Sequence, residues 1–205
     1  MITTTYVDHM GSDLSVVNAA RVSFGKKHWE FEHQKDGKLI RYLAKHKHLS
    51  PFGHAFASFH VRAPIFVARQ LVKHKFLRWN EISRRYVDDE PEFYVPDAWR
   101  GRSADKKQGS SGIVDVGDWG DANWAALKAY NDLLEMDVAP EQARMVLPQS
   151  TMTEWYWSGS LDAFADMCRL RCASDTQVES QQVAWAINYK MEELFPVSWE
   201  ALTDE

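Results

Sequence analysis

Hydrophobic and polar positions follow helical spacing over much of the chain and strict alternation in one stretch. Residues 12–20 (SDLSVVNAA) and 36–46 (DGKLIRYLAKH) open with Ser or Asp in a capping position and continue with helical apolar spacing, as at Leu39, Ile40 and Leu43. Two short helices flanking a polar loop are predicted. Residues 55–62 alternate, with Ala57, Phe59 and Val61 on one side and Ser58, His60 and Arg62 on the other, the pattern of a half-buried strand. Pro64 suits a first helical turn, so a helix is predicted over 64–74, with Ile65, Phe66, Ala68, Leu71 and Val72 as its apolar positions. Helical spacing returns over 119–136, from Pro140 through Arg144 to Val146, over 160–172 capped by Ser160, and over 175–194 capped by Ser174 or Asp175. Residues 100–118, rich in Gly, Ser and charge, read as a mobile loop or insertion tip without structure of its own. The predicted architecture is α+β: one helix-rich domain over residues 1–205. Its small, mostly antiparallel sheet is drawn from the region near Tyr6, residues 55–62 and residues 85–94.

Composition narrows the class. A chain of 205 residues, 45% hydrophobic with nine Trp and ten Phe, carries enough apolar surface for one substantial core and too much for a disordered chain. The start lacks a basic stretch followed by an apolar one, and no window approaches the roughly 18 apolar residues of a membrane span, so a soluble cytoplasmic protein is expected. Cys168 and Cys172 stand alone at i and i+4 in a helical segment, without a second pair for zinc or a disulfide framework, and read as buried free thiols. His46, His48, His54 and His60 fit no standard zinc spacing, so no metal is expected.

Local charge departs from the global balance. The formal charge is −5, yet Arg69, Lys73, Lys75, Arg78, Arg84 and Arg85 fall within seventeen residues against one acid, Glu81. A basic cluster inside an acidic protein points to a focused site for a small anion. The cations interleave with Gln70, Asn80, Glu81, Ser83 and Tyr86, which adds hydrogen-bonding groups suited to a phosphate. Ser83 has no base and orienting acid at recognisable spacing, so it reads as a phosphate contact and not a nucleophile.

Lys73-His74-Lys75, followed by seven residues and Ser83, resembles the signature of the flavin-dependent thymidylate synthases, usually RHR, seven residues, Ser. The resemblance extends in order through AARVSF (19–24), SPFGH (50–54), FHVRAPIFVARQ (59–70), NEISRRY (80–86), ARMVLP (143–148) and the LRCAS stretch around Arg171, covering nearly the whole chain. It implies reductive methylation of dUMP to dTMP, with methylenetetrahydrofolate as carbon donor, FAD reduced by NADPH as hydride source, and no cysteine nucleophile. It also implies a homotetramer whose sites are shared between subunits. On this resemblance dUMP is held by Gln70, Leu71, Val72 and Lys73 of one chain, by Glu81, Ile82, Ser83, Arg84 and Arg85 of another, and by Arg144 and Arg171. Arg171 is the implied catalytic residue, stabilising negative charge on the pyrimidine. FAD is implied at Ser23, His48, Ser50, Lys73, His74, Lys75, Glu81, Ser160, Asp162 and Asp166. Several departures from the family pattern stand out: Lys73 and Lys75 replace arginines, Gly53 stands where many relatives have Glu, and Asp162 and Asp166 occupy positions often Arg and Asn or His.

Two rival readings belong beside this one. The same scaffold could serve a pyrimidine nucleotide methylase or hydroxymethylase with another substrate or product. A nucleic-acid-binding module would use the basic segment with Phe76, Trp79 and Tyr86 as stacking platforms, against the overall acidity.

Overall fold

The computed structural model describes residues 1–87, 89–104, 109–117 and 120–204. In chain order the elements are β1 (Thr3–Met10), α1 (Asp13–Arg21), α2 (His33–Lys45), β2 (Phe56–Pro64), α3 (Ile65–Leu71), β3 (Leu77–Glu81), β4 (Arg100–Arg102), β5 (Ser110–Ile113), α4 (Gly120–Glu135), α5 (Pro140–Ala143), β6 (Met152–Ser160), α6 (Leu161–Arg171), α7 (Val178–Leu194) and α8 (Pro196–Thr203). Short 3-10 turns lie at Val22–Phe24, Ser50–His54 and Arg144–Val146. The fold is helix-rich with a small sheet, and among the described residues no helix is long and apolar enough to cross a membrane.

The main sheet is antiparallel with strand order β1-β2-β6-β3, and β4 and β5 form a separate hairpin. Alternation decides which face is covered. Ala57, Phe59, Val61 and Ala63 of β2 and Trp155 and Trp157 of β6 are buried, while Ser58, His60, Arg62, Glu154, Tyr156 and Ser158 stay at least partly exposed. Helices α6 and α7 pack on the sheet, and α8 joins them through Trp199. Phe164 of α6 meets Phe59 and Trp157 edge-on, with centroids 5.4 and 5.6 Å apart. On the strand side Trp79 of β3 stacks on Trp155 at 4.3 Å. These contacts lock β3 and the segments at its ends against the core.

Strand β3 sits close on β6 because Gly159 faces Leu77. A Cβ there would stand 3.2 Å from the Phe76 carbonyl and 2.4 Å from the Leu77 side chain. At the other edge of the core, Asp13 accepts the backbone N–H groups of Val197 and Ser198 at 3.0 and 2.8 Å, satisfying orphan donors at the start of α8.

The structure corrects several expectations. Among the described residues of 85–94 there is no strand: 84–86 are a turn, and only Phe93 bridges to Thr151. Pro91 and Pro96 remove ladder donors on either side of that bridge. The sheet is completed instead by β3 and by β6, whose sequence TEWYWS places aromatic residues where they suit a pleated surface. The helix predicted over 64–74 is shorter. Pro64 ends β2, and the helix stops at Leu71 because the chain must reverse into β3 through Phe76, at φ 64°. Helix α2 begins at His33, so Asp36 lies inside its first turn and is no cap. Helix α7 is preceded by Gln177, and Ser174 and Asp175 lie outside it. The 100–118 stretch holds the β4–β5 hairpin; residues 105–108 and 118, like Trp119 of the next predicted helix, lie outside the described residues.

Candidate active site

The basic segment is divided between two places. Gln70 and Leu71 end α3, and Val72, Lys73, His74 and Lys75 form the turn beyond it. Glu81 ends β3, and Ile82, Ser83, Arg84 and Arg85 follow in the next turn. Lys73 and Lys75 are exposed and flank His74, which is half-buried.

Gln70 is gripped at its amide. Its Nε2 donates to Gln177 Oε1, and its Oε1 accepts from Ser180 Oγ at 3.2 Å, with Ser180 fully buried. Gln177 and Ser180 lie more than 100 residues away and carry no motif, so sequence reading misses both. Glu81 is likewise held, accepting from Thr153 Oγ1 at 2.6 Å and from Trp79 Nε1 at 3.0 Å. Neither contact is visible in the sequence. Thr153 faces Glu81 only because β6 pairs with β3.

At the end of α6, Arg171 reaches back to the α3 turn, its Nε donating to His74 Nε2 at 3.0 Å. Burial, and then the neighbouring Arg171 cation, hold His74 down from its ordinary value of 6.5 to about 4. Burial also lowers Arg171 without removing its charge. His74 is therefore neutral near pH 7. The pH dependence follows by sign. Between about 4 and 6.5 the unfolded chain binds a proton here that the folded chain refuses, so stability falls as pH drops through that window. The stability gap between wild type and His74→Gln, from urea midpoints, is expected to shrink from pH 7 toward pH 4. A gap that stays constant across that range would contradict a neutral folded imidazole.

The remaining implied residues lie apart. Arg144 sits exposed in a 3-10 turn, its Nε donating to the Glu141 carbonyl at 3.4 Å. Arg84 donates to the Asp89 carbonyl, and Arg85 Nε approaches Ser83 Oγ at 3.3 Å. Among the described residues no hydrogen bond or ion pair joins Arg84, Arg85 or Arg144 to the 70–75 segment. Ser23 is exposed in the turn after α1, and His48 and Ser50 are exposed before β2. Ser160 stands at the N-cap position of α6 without a side-chain capping hydrogen bond, with Asp162 in the first turn and Asp166 one turn on. Helix α6 thus separates Ser160 from Arg171 by about 16 Å, at 1.5 Å per residue.

Charge distinguishes the two ends of α6. Lys73 and Lys75 near its C-terminal end offer point charges that fit a phosphate or pyrophosphate. At its N-terminal end Asp162 accepts from Ser160 Oγ at 2.5 Å and itself complements the helix dipole, while Asp166 pairs with Arg169. Those carboxylates fit the hydroxyl and amino donors of a nucleoside, not a second phosphate. No group of three or more His, Cys, Asp or Glu able to hold a metal occurs among the described residues. Burial raises the thiol of Cys168, which lies in the core; Cys172, half-buried, is lowered by its hydrogen bond with Cys168.

This arrangement can be set beside known proteins. The family model described as thymidylate synthase complementing protein matches residues 5–197. A flavin-dependent thymidylate synthase of Thermus thermophilus is 42% identical over 202 residues, covering 97% of this chain and 74% of that protein. That of Kosmotoga olearia is 41% identical over 203 residues, covering 95% of this chain and 87% of that protein. The crystal structure of a UMP/dUMP methylase, PolB from Streptomyces cacaoi, bound with 5-Br dUMP, superposes with a TM-score of 0.86 at 34% identity, over 99% of this chain and 95% of that one. With the family model spanning almost the whole chain and relatives above 40% identity at this coverage, the chain belongs to the flavin-dependent thymidylate synthase family.

Proposed function

We propose that this protein methylates dUMP reductively to dTMP, with methylenetetrahydrofolate as carbon donor and NADPH-reduced FAD as hydride source. The observation that carries this reading is the meeting of Arg171 with the His74 turn, beside Lys73 and Gln70, in a chain of this family. Arg171 presents a fixed cation to the pyrimidine, where it stabilises negative charge as the base becomes nucleophilic at C5. Gln70, Leu71, Val72 and Lys73 hold the nucleotide from one chain. Glu81, Ile82, Ser83, Arg84 and Arg85 hold it from a second, and Arg144 adds a further cation.

Bound FAD supplies the hydride; the protein supplies position and charge. Lys73 and Lys75 would hold its pyrophosphate, with Ser23, His48, Ser50, His74 and Glu81 lining the remainder and Ser160, Asp162 and Asp166 taking the adenosine half. Because lysine replaces a planar guanidinium at two positions, those phosphate contacts are single and more salt-sensitive than a bidentate fork. A homotetramer with shared sites accounts for the isolation of Arg85 and Arg144 from the 70–75 segment. It also accounts for the exposure of Val22, Phe24, Trp29, Phe76 and Tyr86 around these residues. A cytoplasmic location goes with this reading.

The superposition with a UMP/dUMP methylase favours a second reading, in which UMP is also accepted. Purified protein is to be incubated separately with dUMP and UMP, each with FAD, NADPH and methylenetetrahydrofolate, and the products resolved by mass. Formation of dTMP is expected. Methylated UMP beside dTMP would add the second reading to the first, methylated UMP without dTMP would reject the first, a hydroxymethyl product would move the enzyme to a different reaction, and turnover of neither nucleotide would reject both readings.

A further inference from the structure

Arg171 has five N–H donors in a rigid plane, and one of them is committed. Its Nε bonds His74 Nε2, and among the described residues its side chain makes no other hydrogen bond. That contact requires an unprotonated Nε2, so the single ring proton of the neutral imidazole lies on Nδ1. The imidazole is itself confined: its ring meets Trp157 edge-on at 6.5 Å between centroids, and Trp157 is buried in the sheet. The backbone beyond it is fixed by the reversal at Phe76. The chain Trp157, His74, Arg171 therefore runs from the core to the guanidinium with little freedom at each link.

With the Nε edge occupied, the two terminal amino groups of Arg171 remain. They form a planar fork that suits two neighbouring acceptors, such as a carbonyl oxygen and the adjacent ring nitrogen of an ionised pyrimidine imide. A cation free to rotate would lose much of that selectivity, since preorganised donors contribute most where the developing charge needs them.

We infer that His74 is a positioning residue, a neutral acceptor that sets the plane of the Arg171 guanidinium so that its two terminal amino groups face the pyrimidine as a ready-made fork. The inference rests on the reading of Arg171 as the pyrimidine contact. It leaves the Nδ1–H of His74 free to donate to the cofactor on the opposite edge of the ring.

Glutamine carries its terminal amide at the position of histidine Nε2, so His74→Gln keeps the acceptor while His74→Leu removes it. The test uses the FAD-loaded protein. Calorimetry gives the dUMP dissociation constant, flavin titration gives the FAD dissociation constant, and initial rates give kcat and KM. His74→Leu is expected to weaken dUMP binding and kcat/KM by about 10-fold and His74→Gln to recover most of that loss, while FAD affinity, which the Nδ1–H of His74 serves, falls by a similar factor in both variants. In an Arg171→Ala background, adding His74→Leu should change dUMP binding by less than about twofold, because residues acting through one another are not additive. A full additional loss of about 10-fold in that background overturns the inference, as does a loss of dUMP binding in His74→Leu that His74→Gln fails to rescue. An Arg171→Ala protein that binds dUMP normally would instead remove the reading of Arg171 on which this inference stands.

Discussion

Arg171→Ala is expected to lower kcat/KM for dUMP by on the order of 100-fold or more, equivalent to about 2.7 kcal/mol of lost transition-state stabilisation. The magnitude follows from where the guanidinium lies. It is a partly buried cation fixed from behind by His74 and, among the described residues, without a carboxylate partner, so its field reaches a bound base with little internal compensation. Arg171→Lys keeps the charge and loses the fork, and should recover only part of the rate. The folded state has little reason to suffer, because Arg171 forms no ion pair among the described residues. Steady-state kinetics and a thermal melt together check this. Wild-type kcat/KM in Arg171→Ala would reject the catalytic role.

The largest loss of stability should come from a residue outside the site. Asp36 is fully buried, and its carboxylate accepts from Arg21 Nη2 at 2.9 Å, from the Glu32 N–H at 2.9 Å and meets His28 Nδ1 at 3.1 Å. Burial pushes this carboxyl up, but the hydrogen bonds from Glu32, Arg21 and His28 outweigh it and hold it below its ordinary 3.8. Its stabilising contribution is therefore complete above that value and lost as pH falls through the lower folded one. Asp36→Ala would leave a backbone donor and Arg21, whose Nε already lacks a partner, facing an apolar void. The expected loss is about 3 kcal/mol, near the lower end for a broken buried pair because Arg21 keeps some access to water. For a chain of this size that corresponds to a melting point lower by roughly 6 to 12 °C. Because Ser23 follows Arg21 by two residues in the adjoining turn, flavin affinity should fall alongside. Urea unfolding at pH 7 measures the first effect; a change under about 1 kcal/mol would show that the three donors find water instead.

Local rules read much of the fold. Strand β2 is plain because its buried Ala57, Phe59, Val61 and Ala63 alternate with polar neighbours, and α6 is plain because Ser160 stands at the N-cap position before an apolar run. Strand β3 alternates too, with Leu77 and Trp79 more covered than Arg78 and Asn80, but its charge draws the eye to chemistry before pleat. Strand β6 escapes the reading although Trp155 and Trp157 are separated by a polar-tipped Tyr156, as a strand requires. Asp36 shows the limit of capping rules. An acid near a helix start reads as a cap, and only the tertiary approach of Arg21 and His28 reveals a buried hub. In the site, the Lys73–Lys75 turn is legible as a motif and Arg171 as part of a resemblance. Their contact is not, because 97 residues separate His74 from Arg171 and no local pattern encodes that approach.

The place of β6 between β2 and β3 also bears on how the protein is made. Neither neighbour can complete its ladder until residues 152–160 have been synthesised, and 71 residues separate the end of β3 at Glu81 from the start of β6 at Met152. At elongation rates of about 5–20 residues per second, β3 waits roughly 4 to 14 s without its partner. During that interval Trp79 and the open edge of β2 lack the surface that later covers them, so a nascent chain stalled before β6 should be the species that a ribosome-bound chaperone holds and that proteases cut first.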